Sequence, residues 1–371
     1  MSKNDDAREL KATQAATTQA PVLRYQPPRP RQPAPGIALI GCGGIARNHL
    51  EAYRDQGYTV RVLCDINRAA AEQLRDEFFP AAGVSTDADA VLARSDIQVV
   101  DLATHPDHRL GHMRKALENG KHVLSQKPFV TDLAVGRELV ALAAQKNLKL
   151  AVNQNGRWAP YFSYLHQAVQ SGLLGEIVSC DIHIAWDHSW IEGTRFEQIH
   201  HIVLYDFAIH WFDMVRCVFG EREARQVFAQ VQHVRGQALA PPLSAQSIIQ
   251  FDGGLASLVF HAHTRFGPAE SLIVTGTQGT YRSSGPVCAN DQITLTTAAG
   301  EAAVELTGKW FNDGFAGAMG ELLCAIEQDR EPANAASHNL KSLELCFAAV
   351  ASADRGEPVK PGEVSSIRQE R

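Results

Sequence analysis

A glycine-rich turn early in the chain constrains the fold more than any other feature. Residues 36–40 form a short apolar run, which predicts a buried parallel strand. The turn Gly41-Cys42-Gly43-Gly44-Ile45-Ala46 follows with G-x-G-x-x-A spacing, and residues 47–56 predict a helix that ends at Gly57. In such turns the first glycine permits the bend, the second lets the backbone approach a pyrophosphate, and the small third residue allows helix and strand to pack closely. The pattern therefore predicts a dinucleotide-binding unit rather than a glycine turn without a ligand.

An acidic residue at the end of the second predicted strand supports this interpretation and bears on the choice of cofactor. Residues 58–64 predict that strand, and Asp65 ends it, 19 residues after Ala46. A carboxylate at this position can accept hydrogen bonds from the adenosine ribose hydroxyls, and it repels a 2′-phosphate. We therefore expect NAD to be preferred over NADP, although Arg68, three residues on, could soften that preference.

Strand and helix patterns go on alternating up to residue 154. Apolar strands are predicted at 97–103, 121–125 and 148–152, with helices at 107–119 and 132–145 between them. This alternation predicts an α/β domain with a doubly wound parallel sheet of the Rossmann type, over residues 36–154. In such sheets ligands bind beyond the carboxyl ends of the strands. The residues at or just after those ends are Thr104, His105, Gln126, Lys127, Pro128 and Asn155, and we expect them to line the cofactor site.

The pattern changes after residue 154 and predicts an α+β domain over 155–371. Successive β-rich segments are separated by turn signals such as Asp252-Gly253-Gly254. Two amphipathic helices are expected near the C-terminus, at 311–329 and 337–355. We expect an open, mostly antiparallel sheet that carries the substrate-binding and oligomerisation surfaces.

One predicted helix of this domain, residues 202–218, carries titratable side chains. Asp206 and His210 are four residues apart and Asp213 is three residues further on, so all three are expected on one stripe. A surface ion pair is the simplest explanation of an i, i+4 Asp–His pair. The helix is too apolar to be freely exposed, which favours a functional site. The stripe expected to face the core contains Phe207, Trp211, Met214 and Val218.

Histidines near this helix raise the alternative of a metal site. His200 and His201 lie just upstream, and with Asp206, His210 and His188 they offer ligands suited to zinc or iron. No HExxH or comparable ligand spacing is present. We therefore expect no metal.

Composition excludes several classes of partner. The 371 residues carry a formal net charge of −6, which gives no general attraction to nucleic acid. No apolar stretch is free enough of charge to span a membrane, and no signal peptide is recognisable. The seven cysteines lack CxxC spacing, which favours reduced thiols and a cytoplasmic location. Residues 1–35 are polar and then proline-rich, which predicts a flexible arm, or alternatively an arm that wraps a partner subunit.

Taken together, these motifs resemble the glucose–fructose oxidoreductase/inositol dehydrogenase (Gfo/Idh/MocA) family over about residues 36–360. The turn at 41–46 is similar to the family's cofactor loop, and residues 116–124 are similar to the approach to its Glu-Lys-Pro motif. Lys127 and Pro128 keep the last two positions of that motif, while Gln126 replaces the glutamate. Asp206 and His210 match the family's catalytic aspartate and histidine. Residues 200–205 depart from the small residues that usually precede that aspartate.

The resemblance implies hydride transfer between a hydroxyl-bearing carbon of a sugar or polyol and NAD. His210 would be the general acid/base, Lys127 would polarise the reacting oxygen, and Asp206 would orient the imidazole or bind a neighbouring hydroxyl. The substrate-binding candidates are Arg157, Trp158, His188, Trp190 and Asp213. The resemblance leaves open an enzyme that retains NAD and cleaves glycosides by transient oxidation and elimination. A non-enzymatic nucleotide-sensing subunit is a third possibility, and a homodimer or homotetramer is expected.

Overall fold

The computed structural model describes residues 16–32 and 35–367. Within these residues the first domain contains a sheet of six parallel strands in the order β3-β2-β1-β4-β5-β6. The strands are β1 Ile37–Ile40, β2 Val60–Cys64, β3 Gly83–Ser85, β4 Val99–Leu102, β5 His122–Ser125 and β6 Leu150–Val152. This order and the parallel pairing confirm the predicted doubly wound sheet. The sequence analysis did not predict β3, which is short and not fully buried.

Helices connect these strands, and most of them have a recognisable capping residue at one end. They are α1 Ala46–Gln56, α2 Arg68–Phe78, α3 Ala88–Leu92, α4 Pro106–Glu118 and α5 Leu133–Gln145. Asn67, Asp87 and Asp132 cap the starts of α2, α3 and α5 with their side chains. Gly57 ends α1 with a φ of 72°, in the left-handed region that favours glycine.

The second domain is built on a mixed sheet. Among the described residues its eight strands lie in the order β14-β13-β12-β11-β7-β10-β9-β8, and every neighbouring pair is antiparallel except β10 with β7. The strands are β7 Ile177–Ala185, β8 Ala224–Gln232, β9 Ser244–Phe251, β10 Gly254–His261, β11 Ala269–Gly276, β12 Gly279–Gly285, β13 Gln292–Thr297 and β14 Gly300–Ala303. This confirms the expected mostly antiparallel sheet, to which β14 is an unpredicted addition.

Helices cover one face of this sheet and reach back to the first domain. They are α6 Pro160–Gln170, α7 Ile209–Phe219, α8 Trp310–Glu327 and α9 Ala336–Arg355. The predicted helix at 202–218 is a turn of π-helix, Val203–Phe207, followed by α7. A π-helical turn widens the helix by one residue and is often found at functional sites.

Part of the proline-rich arm contacts the second domain. Residues 1–15 lie outside the described residues, but residues 16–32 run along the second domain and α8. The Thr18 amide donates to the Glu301 carbonyl at 2.9 Å, and the Glu301 amide donates to the Ala16 carbonyl at 2.8 Å. The hydroxyl of Tyr164 donates to the Pro21 carbonyl at 2.9 Å, so the extended arm forms backbone hydrogen bonds that a free segment would make to water.

Two further observations concern compartment and membrane. All seven cysteines have free thiols. In the described part of the chain, no helix is long and apolar enough to cross a membrane.

Candidate active site

A cavity of about 930 Å³ lies against the carboxyl ends of the first-domain strands and the start of α7. The structure brings thirteen of the predicted site residues into its wall. They are Gly43, Gly44, Ile45, Thr104, His105, Gln126, Lys127, Pro128, Asn155, His188, Trp190, Asp206 and His210. The strand ends and the π-helical turn are far apart in the sequence, so only the packing of the two domains places them around one cavity.

The glycine turn forms one end of this cavity and has the features of an anion cradle. Gly41 has a φ of +99°, and a Cβ there would lie 2.8 Å from the carbonyl carbon of Ala103. A Cβ on Gly43 or Gly44 would instead meet nothing within 4 Å. No side chain caps the N-terminus of α1, so the positive end of the helix dipole is open to an anion. The residues therefore fit the pyrophosphate of a dinucleotide.

Asp65 stands at the end of β2, as expected, but outside the cavity wall. Its Oδ2 accepts the Cys42 amide at 2.7 Å, and its Oδ1 accepts the Asn67 amide at 2.7 Å. The carboxylate thus braces the glycine turn. Each oxygen has a second lone pair, so this bracing is compatible with binding ribose hydroxyls as well.

Lys127 and Asp206 form the polar centre of the cavity. The Lys127 ammonium donates to the Asp206 carbonyl at 2.9 Å and lies 3.2 Å from its Oδ2. Both side chains are mostly buried, with 18% and 15% of their surface exposed. Low exposure strengthens this charge pairing, and both residues line the cavity.

His210 lies beside this pair on the first turn of α7. Its ring packs edge-on against Trp310, with centroids 5.6 Å apart. Its Nδ1 is buried and has no hydrogen-bond partner in the described part of the chain. Burial, and then the charge of Lys127, lower the pKa of His210 well below its ordinary value. The imidazole is therefore neutral near pH 7 and able to accept a proton.

Gln126, which replaces the family's glutamate, holds the backbone beside Lys127. Its Oε1 accepts the Lys127 amide at 2.8 Å and the Asn153 side-chain amide at 3.1 Å. Because both partners are donors, the Gln126 oxygen faces them and its NH₂ group faces elsewhere. A neutral amide thus performs the positioning that a carboxylate could perform, without adding charge next to the lysine.

Behind Gln126 lies a buried polar network that the sequence analysis missed. Asn153 contacts Nε2 of His49 at 3.3 Å, and Nδ1 of His49 lies 2.7 Å from Oδ2 of Asp101. The Tyr53 hydroxyl donates to the same oxygen at 2.7 Å. Asp101 is fully buried within β4. In the sequence, a charged residue inside an apolar strand was the one indication of this network.

Three residues predicted to bind substrate, Arg157, Trp158 and Asp213, do not line this cavity. Arg157 and Asp213 form a buried two-point ion pair, with Nε–Oδ2 at 2.6 Å and Nη2–Oδ1 at 2.7 Å. Trp158 is buried against α8, so close that a Cβ on Gly317 would lie 2.1 Å from its ring. Asp213 does not share the cavity with His210, because its side chain is buried in the protein core between Arg157 and Ser342.

The metal site considered above required His200 and His201 to lie near Asp206, His210 and His188, but the structure places this pair elsewhere. His200 and His201 both contact Oδ1 of Asp354 on α9, at 2.8 and 2.9 Å through Nε2. They therefore do not join Asp206, His210 and His188 in one ligand set.

Aromatic side chains supply a part of the wall that sequence patterns did not reveal. Phe207 was assigned to the core stripe, but it lines the cavity and stacks on Trp186 with centroids 4.0 Å apart. Asn155 accepts a hydrogen bond from Trp310 Nε1 at 2.9 Å and holds that ring next to His210. Flat apolar rings beside polar groups suit the C–H faces and hydroxyls of a carbohydrate.

A glycine cradle at a helix N-terminus and a Lys–Asp–His group in one cavity define a two-domain nucleotide-dependent oxidoreductase. Comparison with known proteins identifies the family. Residues 36–154 match the model described as "Oxidoreductase family, NAD-binding Rossmann fold", and residues 162–282 match the GFO/IDH/MocA C-terminal domain. The chain belongs to the Gfo/Idh/MocA family of oxidoreductases, and its first domain binds NAD.

Individual relatives can be aligned with this chain over most of its length. A D-apiose dehydrogenase of Paraburkholderia graminis is 28% identical over 349 residues, 90% of each chain. An inositol 2-dehydrogenase of Rhizobium meliloti is 26% identical, over 85% of this chain and 96% of that protein. An Agrobacterium radiobacter oxidoreductase, solved with NAD⁺, L-tartaric acid and magnesium, aligns with a TM-score of 0.79. It shares 21% of residues, and the match covers 89% of this chain and 99% of that one.

Proposed function

We propose that this enzyme transfers hydride between a secondary hydroxyl of a sugar, sugar derivative or polyol and NAD. The observation that carries the proposal is the group of Lys127, Asp206 and His210 around one cavity that the glycine turn also enters. Relatives named for the oxidation of apiose and inositol support the substrate class. When bound, NAD supplies the acceptor or donor of the hydride.

In this proposal His210 takes the hydroxyl proton during oxidation. A base must be unprotonated before the reaction, and the lowered pKa of His210 keeps the ring neutral at pH 7. The same property makes a free imidazolium costly, so the proton passes onward once the hydride has left. In the reverse direction a protonated His210 returns it to the carbonyl oxygen.

Lys127 stabilises the negative charge that develops on the reacting oxygen. Its ammonium is held by two Asp206 oxygens, so it is oriented before the reaction begins. An ammonium has three N–H donors, so one remains for the substrate. Asp206 thereby positions Lys127, and its carboxylate can also accept a hydrogen bond from a neighbouring substrate hydroxyl.

Cofactor selectivity, assembly and location complete the proposal. Asp65 favours NAD over NADP because its carboxylate repels a 2′-phosphate. Val178, Ile248 and Leu255 on the second-domain sheet are each about half exposed, which supports association into a homodimer or homotetramer. The free thiols support a cytoplasmic location.

The test combines nucleotide analysis with kinetics. The purified protein is denatured, and released nucleotide is identified by mass spectrometry. The protein is then assayed for NADH formation with aldoses and cyclic polyols, including D-apiose and myo-inositol. We expect NAD-dependent turnover with a member of this panel. Retained NAD without net reduction would instead indicate glycoside cleavage.

Two variants test the assigned roles against a matched control. Lys127→Met and His210→Asn are expected to lower kcat by about 10²–10⁴-fold, the range for loss of a positioned acid, base or charge. His338→Asn, at a half-exposed histidine on α9 away from the cavity, is the control. Undiminished turnover in either cavity variant would overturn the proposed mechanism.

A further inference from the structure

His188 occupies the cavity wall with an unusual pair of hydrogen-bond partners. The residue is only 2% exposed. Its Nδ1 faces the indole Nε1 of Trp186 at 2.7 Å and the indole Nε1 of Trp190 at 3.2 Å. An indole N–H can donate a hydrogen bond but cannot accept one. Nδ1 of His188 must therefore be the acceptor for both, and it carries no proton.

This arrangement determines the state of the other ring nitrogen. A neutral imidazole with an unprotonated Nδ1 has its proton on Nε2. Protonating the ring would require an N–H on Nδ1 directed at two other N–H groups. Burial also lowers the pKa of His188 to about 4; nearby Asp206 and Asp187 oppose that shift, and Lys127 reinforces it. The ring thus remains a neutral Nε2–H donor through the neutral range.

The donor itself has no acceptor among the described residues. Nε2 of His188 is buried and makes no hydrogen bond in the part of the chain that the structure describes. The ring lies edge-on to Phe207, with centroids 5.3 Å apart, and shares the cavity wall with Asp206 and His210. A buried donor without a partner costs free energy unless a ligand supplies an acceptor.

We propose that His188 is a specificity-determining residue that donates its Nε2–H to an oxygen of the substrate. Trp186 and Trp190 are positioning residues that hold the imidazole in this tautomer. This inference rests on the proposed function. It adds that the substrate must place an oxygen within hydrogen-bonding distance of His188. The oxygen must accept a hydrogen bond at that point, so a hydroxyl, carbonyl or carboxylate fits and a deoxy carbon does not.

Two histidines of one cavity then have separate tasks. Nδ1 of His210 has no hydrogen-bond partner in the described part of the chain, so this ring can gain and lose a proton. His188 is blocked at Nδ1 and serves only as a donor, so it does not compete for the proton that leaves the substrate. Because its hydrogen bond forms in the ground state and the transition state alike, its loss should raise KM more than it lowers kcat.

The first part of the test reads the tautomer and needs no substrate. The full-length protein is labelled with ¹⁵N-histidine, and long-range ¹H–¹⁵N spectra are recorded from pH 5.5 to 8, with His188→Gln to assign the signals. We expect a protonated Nε2 and an unprotonated Nδ1 that do not titrate. The double variant Trp186→Phe/Trp190→Phe should show mixed tautomers. A protonated Nδ1 in the unaltered protein would overturn the inference, whatever sugar the enzyme uses.

The second part tests the contact with substrate. His188→Met removes the N–H at similar length, and we expect kcat/KM for the best panel substrate to fall about 10- to 100-fold, mainly through KM. His188→Gln offers an oxygen to the indoles and an N–H to the substrate, so it should recover most of the loss. Equal losses in both variants, or an unchanged KM in His188→Met, would overturn the donor role. NAD affinity, measured in parallel, should not change in either variant. A loss of NAD affinity would mean that His188 supports the cofactor site, which would contradict the role in substrate binding.

Discussion

Replacing Asp213 by asparagine tests whether this residue stabilises the fold or contacts the substrate. The carboxylate is 1% exposed, and it accepts hydrogen bonds from two nitrogens of Arg157 and from the Ser342 hydroxyl at 2.7 Å. Burial disfavours the charge on Arg157, but neighbouring groups, Asp213 foremost, together outweigh it and keep the pKa of the guanidinium above its ordinary value. Neutralising Asp213 would leave that buried cation without its counter-ion.

The expected loss of stability is large. Removing one partner of a buried ion pair typically lowers the free energy of unfolding by about 3–5 kcal/mol. For a domain of about 200 residues, each kcal/mol corresponds to roughly 2–4 °C in the melting temperature. Asp213→Asn should therefore lower Tm by about 6–20 °C, while NAD affinity and KM at 20 °C stay close to those of the unaltered enzyme.

Thermal unfolding followed by circular dichroism measures this effect, together with NAD titration and kinetics at 20 °C. The double variant Arg157→Met/Asp213→Leu is the control. Because it removes both charges and keeps apolar volume, it should recover most of the lost stability. An unchanged Tm combined with a raised KM would refute the structural role and restore Asp213 to the substrate site.

Four further predictions follow from backbone geometry and charge. Gly43→Ala should weaken NAD binding at least tenfold in fluorescence titrations with Tm unchanged, because its Cβ enters open space that the cofactor needs. Gly41→Ala should lower the unfolding free energy by about 1–3 kcal/mol in urea, since its φ is +99° and its Cβ would meet Ala103; a stable variant would contradict this. Asp65→Asn should narrow the preference for NAD over NADP about tenfold, and an unaltered ratio of dissociation constants would exclude Asp65 as its source. Burial lowers the pKa of His122 to about 4, so this residue should lower the unfolding free energy as pH drops from 6.5 towards 4, by up to about 1.4 kcal/mol per pH unit. His122→Asn should remove this contribution in urea titrations, and an unchanged pH dependence would contradict it.

The sequence alone determined those features that depend on local geometry. The glycine turn, the apolar strands around it and the capped helices predict the first-domain sheet because each follows from backbone conformation or from side-chain periodicity over a few residues. The parallel topology of the sheet then predicts where the residues that follow each strand will lie. Residues such as Thr104, Gln126 and Lys127 directly follow parallel strands, whose carboxyl ends meet at one edge, and the structure confirms that they share a cavity wall.

Only the tertiary structure decided how residues distant in the sequence meet. Lys127 and Asp206 are 79 positions apart, and their contact depends on how the two domains pack. Helical spacing placed Asp213 with His210, but the partner buried beside it, Arg157, comes from another element, and an ion pair drew the carboxylate inward. Likewise no pattern in the sequence shows that the indoles of Trp186 and Trp190 converge on one nitrogen of His188. Local sequence governs which way a backbone can turn, whereas the protonation state and role of a buried side chain depend on the groups that folding brings around it.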